Sequence, residues 1–267
     1  MGFVGRSVPR LEDRPLVTGG GTFAADVVFP HMLHMRVVRS AHAHGRIVSI
    51  ETKAAQRLPG VVAAWTGTEV AKIPPIDFRL TRVEGLAPYR QPILAQERVR
   101  YVGEPVAAVF ASDPYLAEDA ADAVDVEIAE LPVILDASAP PAEFAEGHST
   151  EAAVLERSYG DLDAAFRAAH AVIELELSIG RHSGVPMETR GAIARYDAAR
   201  DMLELYGAAK VPHWNRDSIA RMLGRAPSSV HLFEGHVGGG FGIRGELYPE
   251  DVLVCLAALR LDRKSVV

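Results

Sequence analysis

Apolar and polar positions alternate over short distances in the first half of the chain. The runs "MLHMRVVRS" (32–40), "RIVSIE" (46–51), "GVVAAWTG" (60–67) and "YVGEPVAAVFA" (101–111) are rich in strand-forming residues and separated by turn residues, which predicts strands. Between the second and third, "TKAAQRLPG" predicts a short helix closed by Pro59 and Gly60. After the fourth, Ser112 or Asp113 can cap a helix with Pro114 in its first turn, and that helix gives way to a strand near "VDVEIAEL". This half therefore reads as an α/β unit with a mixed sheet and a β-α-β element at its C-terminal side. Residues 73–96, with Pro74, Pro75, Pro88 and Pro92, read as a long loop.

A break in the pattern precedes the second half. Residues 137–151 are small, acidic and proline-rich without periodicity, which marks a linker. An Asp-capped helix in "GDLDAAFRAAH" should run into a strand, "AVIELELSI", with Val172, Glu174 and Glu176 on the face opposite Ile173, Leu175 and Leu177. Strands near "GAIARYD" and "MLELYG" follow, then a helix in "HWNRDSIARMLG" that Gly224 can end. A strand in "SVHLFEG" delivers "GGGFGIRG" (238–245), and Pro249 opens a last helix whose Glu250 and Asp251 suit its dipole. The expected domains are 1–136, a linker at 137–151, and 152–267.

Composition narrows the function classes. The chain has 267 residues, 48% hydrophobic and 24% charged, as in globular proteins. A net charge of -7 argues against nucleic acid or an anionic membrane as partner. One cysteine, Cys255, cannot hold an iron–sulfur cluster, so such a centre would sit on another chain; its apolar context predicts a buried helix thiol. The charged start "MGFVGRSVPRLEDR" lacks a signal peptide's apolar stretch, no run suffices for a membrane span, and Arg6 breaks a myristoylation motif at Gly2. A cytoplasmic protein is expected. His31, His34, His42 and His44 have loose spacing and read as strand polar residues, not metal ligands. The acids from Glu118 to Glu127 read as a solvated face.

The glycine stretch admits three readings. Gly240, Gly242 and Gly245 satisfy G-x-G-x-x-G, the dinucleotide fingerprint, but the following strand and its acid are missing; Asp262 is the one candidate. Glycines forming a tight bend would need fewer of them. A backbone pressed against an anionic cofactor at a strand–helix junction is the third.

A resemblance bears on the choice. The motifs "GRSVPRLEDRPLVTGGGTFAADV", "VVRSAHAHGRIVSI", "LPGVVAAWTGTEV", "YVGEPVAAVFASDPYLAEDAADAVDVEIAELPVILD", "PMETRGAIARYD" and "EGHVGGGFGIRGELYPED" resemble, in this order, the N-terminal third of the molybdenum-binding large subunit of the xanthine dehydrogenase, aldehyde oxidase and carbon monoxide dehydrogenase family. The resemblance implies an α+β chain: a hammerhead-like α/β domain, then the start of a mixed α/β molybdenum-cofactor-binding domain. It implies a molybdenum–molybdopterin cofactor, in its cytosine dinucleotide form, with iron–sulfur and FAD centres on partner subunits. Gly239, Gly240, Phe241 and Gly242 would lie against the metal, with Lys210 and Arg244 as further cofactor-binding residues and no protein metal ligand.

This sequence departs from the family pattern in several places. "YGAAKVPHW" has Lys210 where many relatives carry a glutamine that donates to an oxygen on molybdenum. Gly245 occupies the position of the purine hydroxylases' substrate-binding glutamate, with Glu246 one residue on, so an aldehyde or N-heterocycle is the expected substrate class. Glu188 belongs to the signature with an undecided role. The general-base glutamate is expected beyond this chain, whose closing "DRKSVV" matches in-frame translation of a sequencing adapter; a truncated reading frame, inactive alone, is expected. The rivals are a non-catalytic fragment or half of a split subunit, and part of a carbon monoxide dehydrogenase.

Overall fold

The computed structural model describes residues 2–81, 83–207, 209–261 and 265–266. The first half is built on β1 (Leu33–Arg39), β2 (Gly45–Glu51), β3 (Val61–Thr66), β4 (Arg98–Val99), β5 (Pro105–Ala111) and β6 (Asp125–Glu130). Its helices are α1 (Asp13–Val17), α2 (Lys53–Gln56), α3 (Gly67–Val70) and α4 (Pro114–Asp122). β5 is buried along its whole length and pairs antiparallel with β1 and β3 on its two sides. The helix α4 starts where its cap predicts, the Asp113 carboxylate accepting from the N–H groups of Tyr115 and Leu116 at 2.9 and 3.3 Å. The β-α-β expectation needs correction in one respect: β6 does not join the sheet of β5 but pairs antiparallel with β2 in a separate three-stranded sheet with β4. Residues 73–96 remain a loop with one bridge, Ile76 to Gln91, yet they bury Ile93, Leu94 and Ala95.

Within the expected linker, β7 (Glu143–Ala145) and β8 (His148–Ser149) form a small hairpin, tied back by Tyr89 Oη donating to the Ser149 carbonyl at 2.7 Å. The second half contributes α5 (Leu162–Ala168), β9 (Ala192–Asp197), β10 (Met202–Gly207), α6 (Pro212–Met222), β11 (Val230–Phe233), α7 (Pro249–Arg260) and β12 (Ser265–Val266). β12 pairs parallel with β1 and antiparallel with β9, so strands of both halves join one sheet in the order β11-β10-β9-β12-β1-β5-β3. The helix α7 buries nine residues, including Leu253, Cys255 and Leu256, in a core shared with Leu33, Trp65 and Phe110 of the first half and Leu203 and Ile219 of the second. The thiol is buried as its context predicts, and burial raises its pKa.

The predicted strand "AVIELELSI" does not form: residues 171–186 make no sheet pairing among the described residues. Alternation specifies which face a strand would bury, but a strand also needs a neighbour to complete its ladder, and none lies beside it here.

Candidate functional site

β11 ends at Phe233, and the chain crosses Glu188 before entering α7 at Pro249. In this crossing Gly239 and Gly242 hold φ +111° and +92°, and Phe241 holds +46°, a region that side-chain-bearing residues rarely adopt. The glycines divide into two kinds. A Cβ on Gly238 would lie 2.5 Å from the Glu188 Cβ, and one on Gly239 2.9 Å from the Pro186 Cβ, so these two let the loop lie down on the 186–188 segment. A Cβ on Gly240 or Gly242 would meet nothing of the chain within 4 Å.

Two side chains hold the loop. The Glu188 Oε2 accepts from the Gly238 N–H at 2.8 Å, and the Glu188 N–H donates to the Gly238 carbonyl at 3.3 Å. Arg244 donates from Nε to the Gly239 carbonyl at 2.8 Å and from Nη2 to the carbonyls of Glu188 and Thr189 at 2.6 and 3.1 Å. Its Nη2 also lies 3.1 Å from Glu188 Oε2, with the arginine side chain only 4% exposed. Nε and Nη2 are thereby engaged by the protein's own acceptors.

Lys210 joins the loop through its backbone, its N–H donating to the Arg244 carbonyl at 3.1 Å. Lys210, Glu234, Val237, Gly240, Phe241, Gly242 and Arg244 line an open cleft of about 290 Å³. The Phe241 ring stands out from it, 76% exposed. Glu234, which the sequence reading passes over, accepts from the Ala209 N–H at 3.1 Å and so sets the chain direction into Lys210; partial burial pushes its carboxyl above the usual range, with that N–H opposing. The four N–H groups of 239–242 donate to no acceptor among the described residues. Successive free N–H groups beside a cation, without side chains at Gly240 and Gly242, suit a bulky anionic group that approaches the main chain closely.

The site rests on the first turn of α7. Glu250 pairs with Arg39 of β1 and lies 3.6 Å from Arg190; burial pushes its carboxyl up, but the two arginines outweigh this and hold it below the ordinary value. Asp251 accepts from the Tyr248 N–H at 3.1 Å, and its burial, partly opposed by Arg190, raises it to about 6. Arg190 sits 3.4 Å over the Tyr248 ring. Glu246 is held by Arg79 through contacts of 2.8 and 3.3 Å, and Gly245 is buried against the Gly242 carbonyl. Two histidines of the first half serve local structure: His42 Nδ1 lies 3.0 Å from Glu130, and His44 contacts the carbonyls of Pro132 and Phe144. Among the described residues no cluster of His, Cys, Asp or Glu is arranged to hold a metal ion, and no helix is long and apolar enough to cross a membrane. Asp262 lies outside the described residues.

Two family models match this chain almost end to end: the aldehyde oxidase and xanthine dehydrogenase a/b hammerhead domain over residues 18–132, and the molybdopterin cofactor-binding domain over 144–266. The chain belongs to the xanthine dehydrogenase, aldehyde oxidase and carbon monoxide dehydrogenase family. It is 42% identical to the 6-hydroxypseudooxynicotine dehydrogenase complex subunit gamma of Paenarthrobacter nicotinovorans, over 97% of this chain and 33% of that one. It is 32% identical to the carbon monoxide dehydrogenase large chain of Hydrogenophaga pseudoflava, over 94% and 33%. The crystal structure of quinoline 2-oxidoreductase from Pseudomonas putida 86 superposes with a TM-score of 0.88 at 37% identity, covering 99% of this chain and 34% of that one. The α+β architecture expected from the resemblance, a hammerhead domain followed by the start of a molybdenum-cofactor-binding domain, agrees with these matches. The chain spans about a third of the length of the curated relatives it matches.

Proposed function

We propose that these residues are the N-terminal part of the molybdenum-cofactor subunit of a molybdenum hydroxylase that oxidises a C–H bond of an N-heterocycle or aldehyde. Relatives named for quinoline and 6-hydroxypseudooxynicotine favour the N-heterocycle. The observation that carries the reading is the cleft in which bare backbone at Gly240 and Gly242 meets Lys210. The cofactor is molybdenum–molybdopterin in the cytosine dinucleotide form; when bound, it supplies two-electron oxidation with water as the oxygen donor.

In this reading the N–H groups of 239–242 face the anionic cofactor at close range, which a Cβ at Gly240 or Gly242 would prevent. Lys210 contributes a positive charge where many relatives carry a neutral amide, favouring negative charge on the group it faces. Phe241 shields the substrate side from water. Arg244 keeps the loop in place through Nε and Nη2 and, lining the same cleft, is a further cofactor-binding residue in this reading. Glu246 is committed to Arg79, which supports excluding purines. Electrons leave to iron–sulfur and FAD centres on partner subunits, a reading supported by the single buried thiol here, which cannot ligate an iron–sulfur cluster. The domain division 1–136, 137–151 and 152–267 and a cytoplasmic location belong to the same reading. The 267 residues alone are inactive, a view supported by their covering a third of the relatives.

The test is isotopic. The chain, co-expressed with the remaining two-thirds of a relative's large subunit and with the partner subunits, is given quinoline in ¹⁸O-labelled water. One solvent oxygen per product, and no turnover by the chain alone, supports the proposal. Turnover by the isolated chain, or product oxygen that does not come from water, defeats it.

A further inference from the structure

The inference concerns the segment before the glycine loop and rests on the functional reading above. From Ala152 to Ser183 every residue except Ala164 is exposed, and α5 buries none of its side chains. The composition is not that of a solvated loop. Ile173, Leu175, Leu177 and Ile179 are 87, 73, 79 and 86% exposed, and they alternate with Glu174, Glu176 and Ser178. As a strand, these seven residues would present one continuous apolar face about 20 Å long. Leu155, Tyr159, Leu162 and Phe166 add to the bare apolar surface just upstream. A contiguous patch of this size marks an interaction surface.

We infer that residues 171–179 are a docking strand, paired and covered by polypeptide from the two-thirds of a molybdenum hydroxylase large subunit that lies outside these 267 residues. The comparison with relatives identifies the occupant. They align over 97% of this chain, and a solved relative superposes at a TM-score of 0.88 over 99% of it, so this third already has its folded arrangement. What a complete subunit adds is the other two-thirds, and the surface it covers is among the surfaces left bare here. The alternating pattern specifies the mode: backbone pairing at the strand edge, with apolar side chains on one face entering the added polypeptide. The segment also leads directly into the seat of the glycine loop. A Cβ on Gly184 would lie 2.8 Å from the Phe241 Cβ, and Pro186 lies under Gly239. Docking therefore tightens the loop's support when the subunit is completed.

The test uses the full 267-residue chain, alone and co-expressed with the uncovered two-thirds of the Paenarthrobacter gamma subunit, followed by hydrogen–deuterium exchange. The amides of residues 172–179 should slow at least 100-fold in the complex. Leu175→Pro removes one N–H from the proposed ladder at an exposed position, so it should leave the unfolding curve of the isolated chain unchanged and weaken capture at least 10-fold; Glu176→Gln should bind as wild type. Three results overturn the inference: no capture, capture without protection at 172–179, or protection already present in a dimer of this chain. Protection of 238–243 without 172–179 would remove the docking strand while leaving the functional reading in place.

Discussion

Arg244 offers the sharpest test of how the loop is held. Its guanidinium donates to three carbonyls and lies 3.1 Å from the Glu188 carboxylate, with the arginine side chain 4% exposed. Arg244→Met keeps most of the stem and its packing but leaves the carboxylate without its counter-charge and the carbonyls of Gly239, Glu188 and Thr189 without this donor. Removing one partner of a buried pair costs about 3–5 kcal/mol, and buried carbonyls left unpaired cost about 1 kcal/mol or more each, although the two losses overlap. The expected loss is therefore roughly 3–5 kcal/mol, a large share of the 5–15 kcal/mol typical of a folded domain. Urea unfolding followed by circular dichroism measures it, with an unchanged slope showing that the denatured state is comparable. In the double variant Glu188→Gln/Arg244→Met no charge is left unpaired, so its loss should fall short of the sum of the single losses by about 1 kcal/mol or more. A single-variant loss below about 1 kcal/mol, or additivity within about 0.5 kcal/mol, refutes the clamp.

The other predictions concern the core, the glycines and pH. Leu253 is fully buried in α7, so Leu253→Ala should cost about 2–5 kcal/mol in the same unfolding assay. Gly238→Ala brings a Cβ to within 2.5 Å of Glu188 Cβ and should raise amide exchange at 238 and 243, the loop amides that donate hydrogen bonds, whereas Gly240→Ala, which meets nothing within 4 Å, should leave exchange unchanged. Burial raises Asp251 from 3.8 to about 6, so its contribution to stability is fully present below about pH 4 and is lost as pH rises through about 6. Asp251→Asn retains an acceptor for the Tyr248 N–H and should flatten the stability profile between pH 4 and 6 by up to roughly 3 kcal/mol; equal slopes in variant and wild type would contradict this.

Much of the fold was legible wherever the cause is local. Asp113 and Asp161 cap the helices their positions predict, and Pro249 opens α7. The apolar run of β5 forms a strand buried along its whole length, as uninterrupted hydrophobicity implies. Partner choice was not legible. β6 left the sheet of β5 for β2, and residues 171–179 found no neighbour among the described residues, because alternation carries no record of which strand will lie alongside. The same limit shaped the site. Four glycines around an aromatic suggested a bare backbone, but only the folded chain separates Gly238 and Gly239, which seat the loop, from Gly240 and Gly242, which face the cleft. The Arg244 contact with Glu188 joins residues 56 apart, and Glu234 acts through one backbone N–H, so neither role has a sequence signature.

The central claim is that the open space beside Gly240 is where the molybdenum cofactor sits. Gly240→Val adds a side chain that meets nothing of the chain's own at its Cβ, so a change in metal content reports on an occupant of the cleft. Molybdenum per assembled large subunit, measured by inductively coupled plasma mass spectrometry, should be close to one in wild type and at least tenfold lower in Gly240→Val, with unfolding curves that coincide. Full molybdenum in the valine variant would contradict the account.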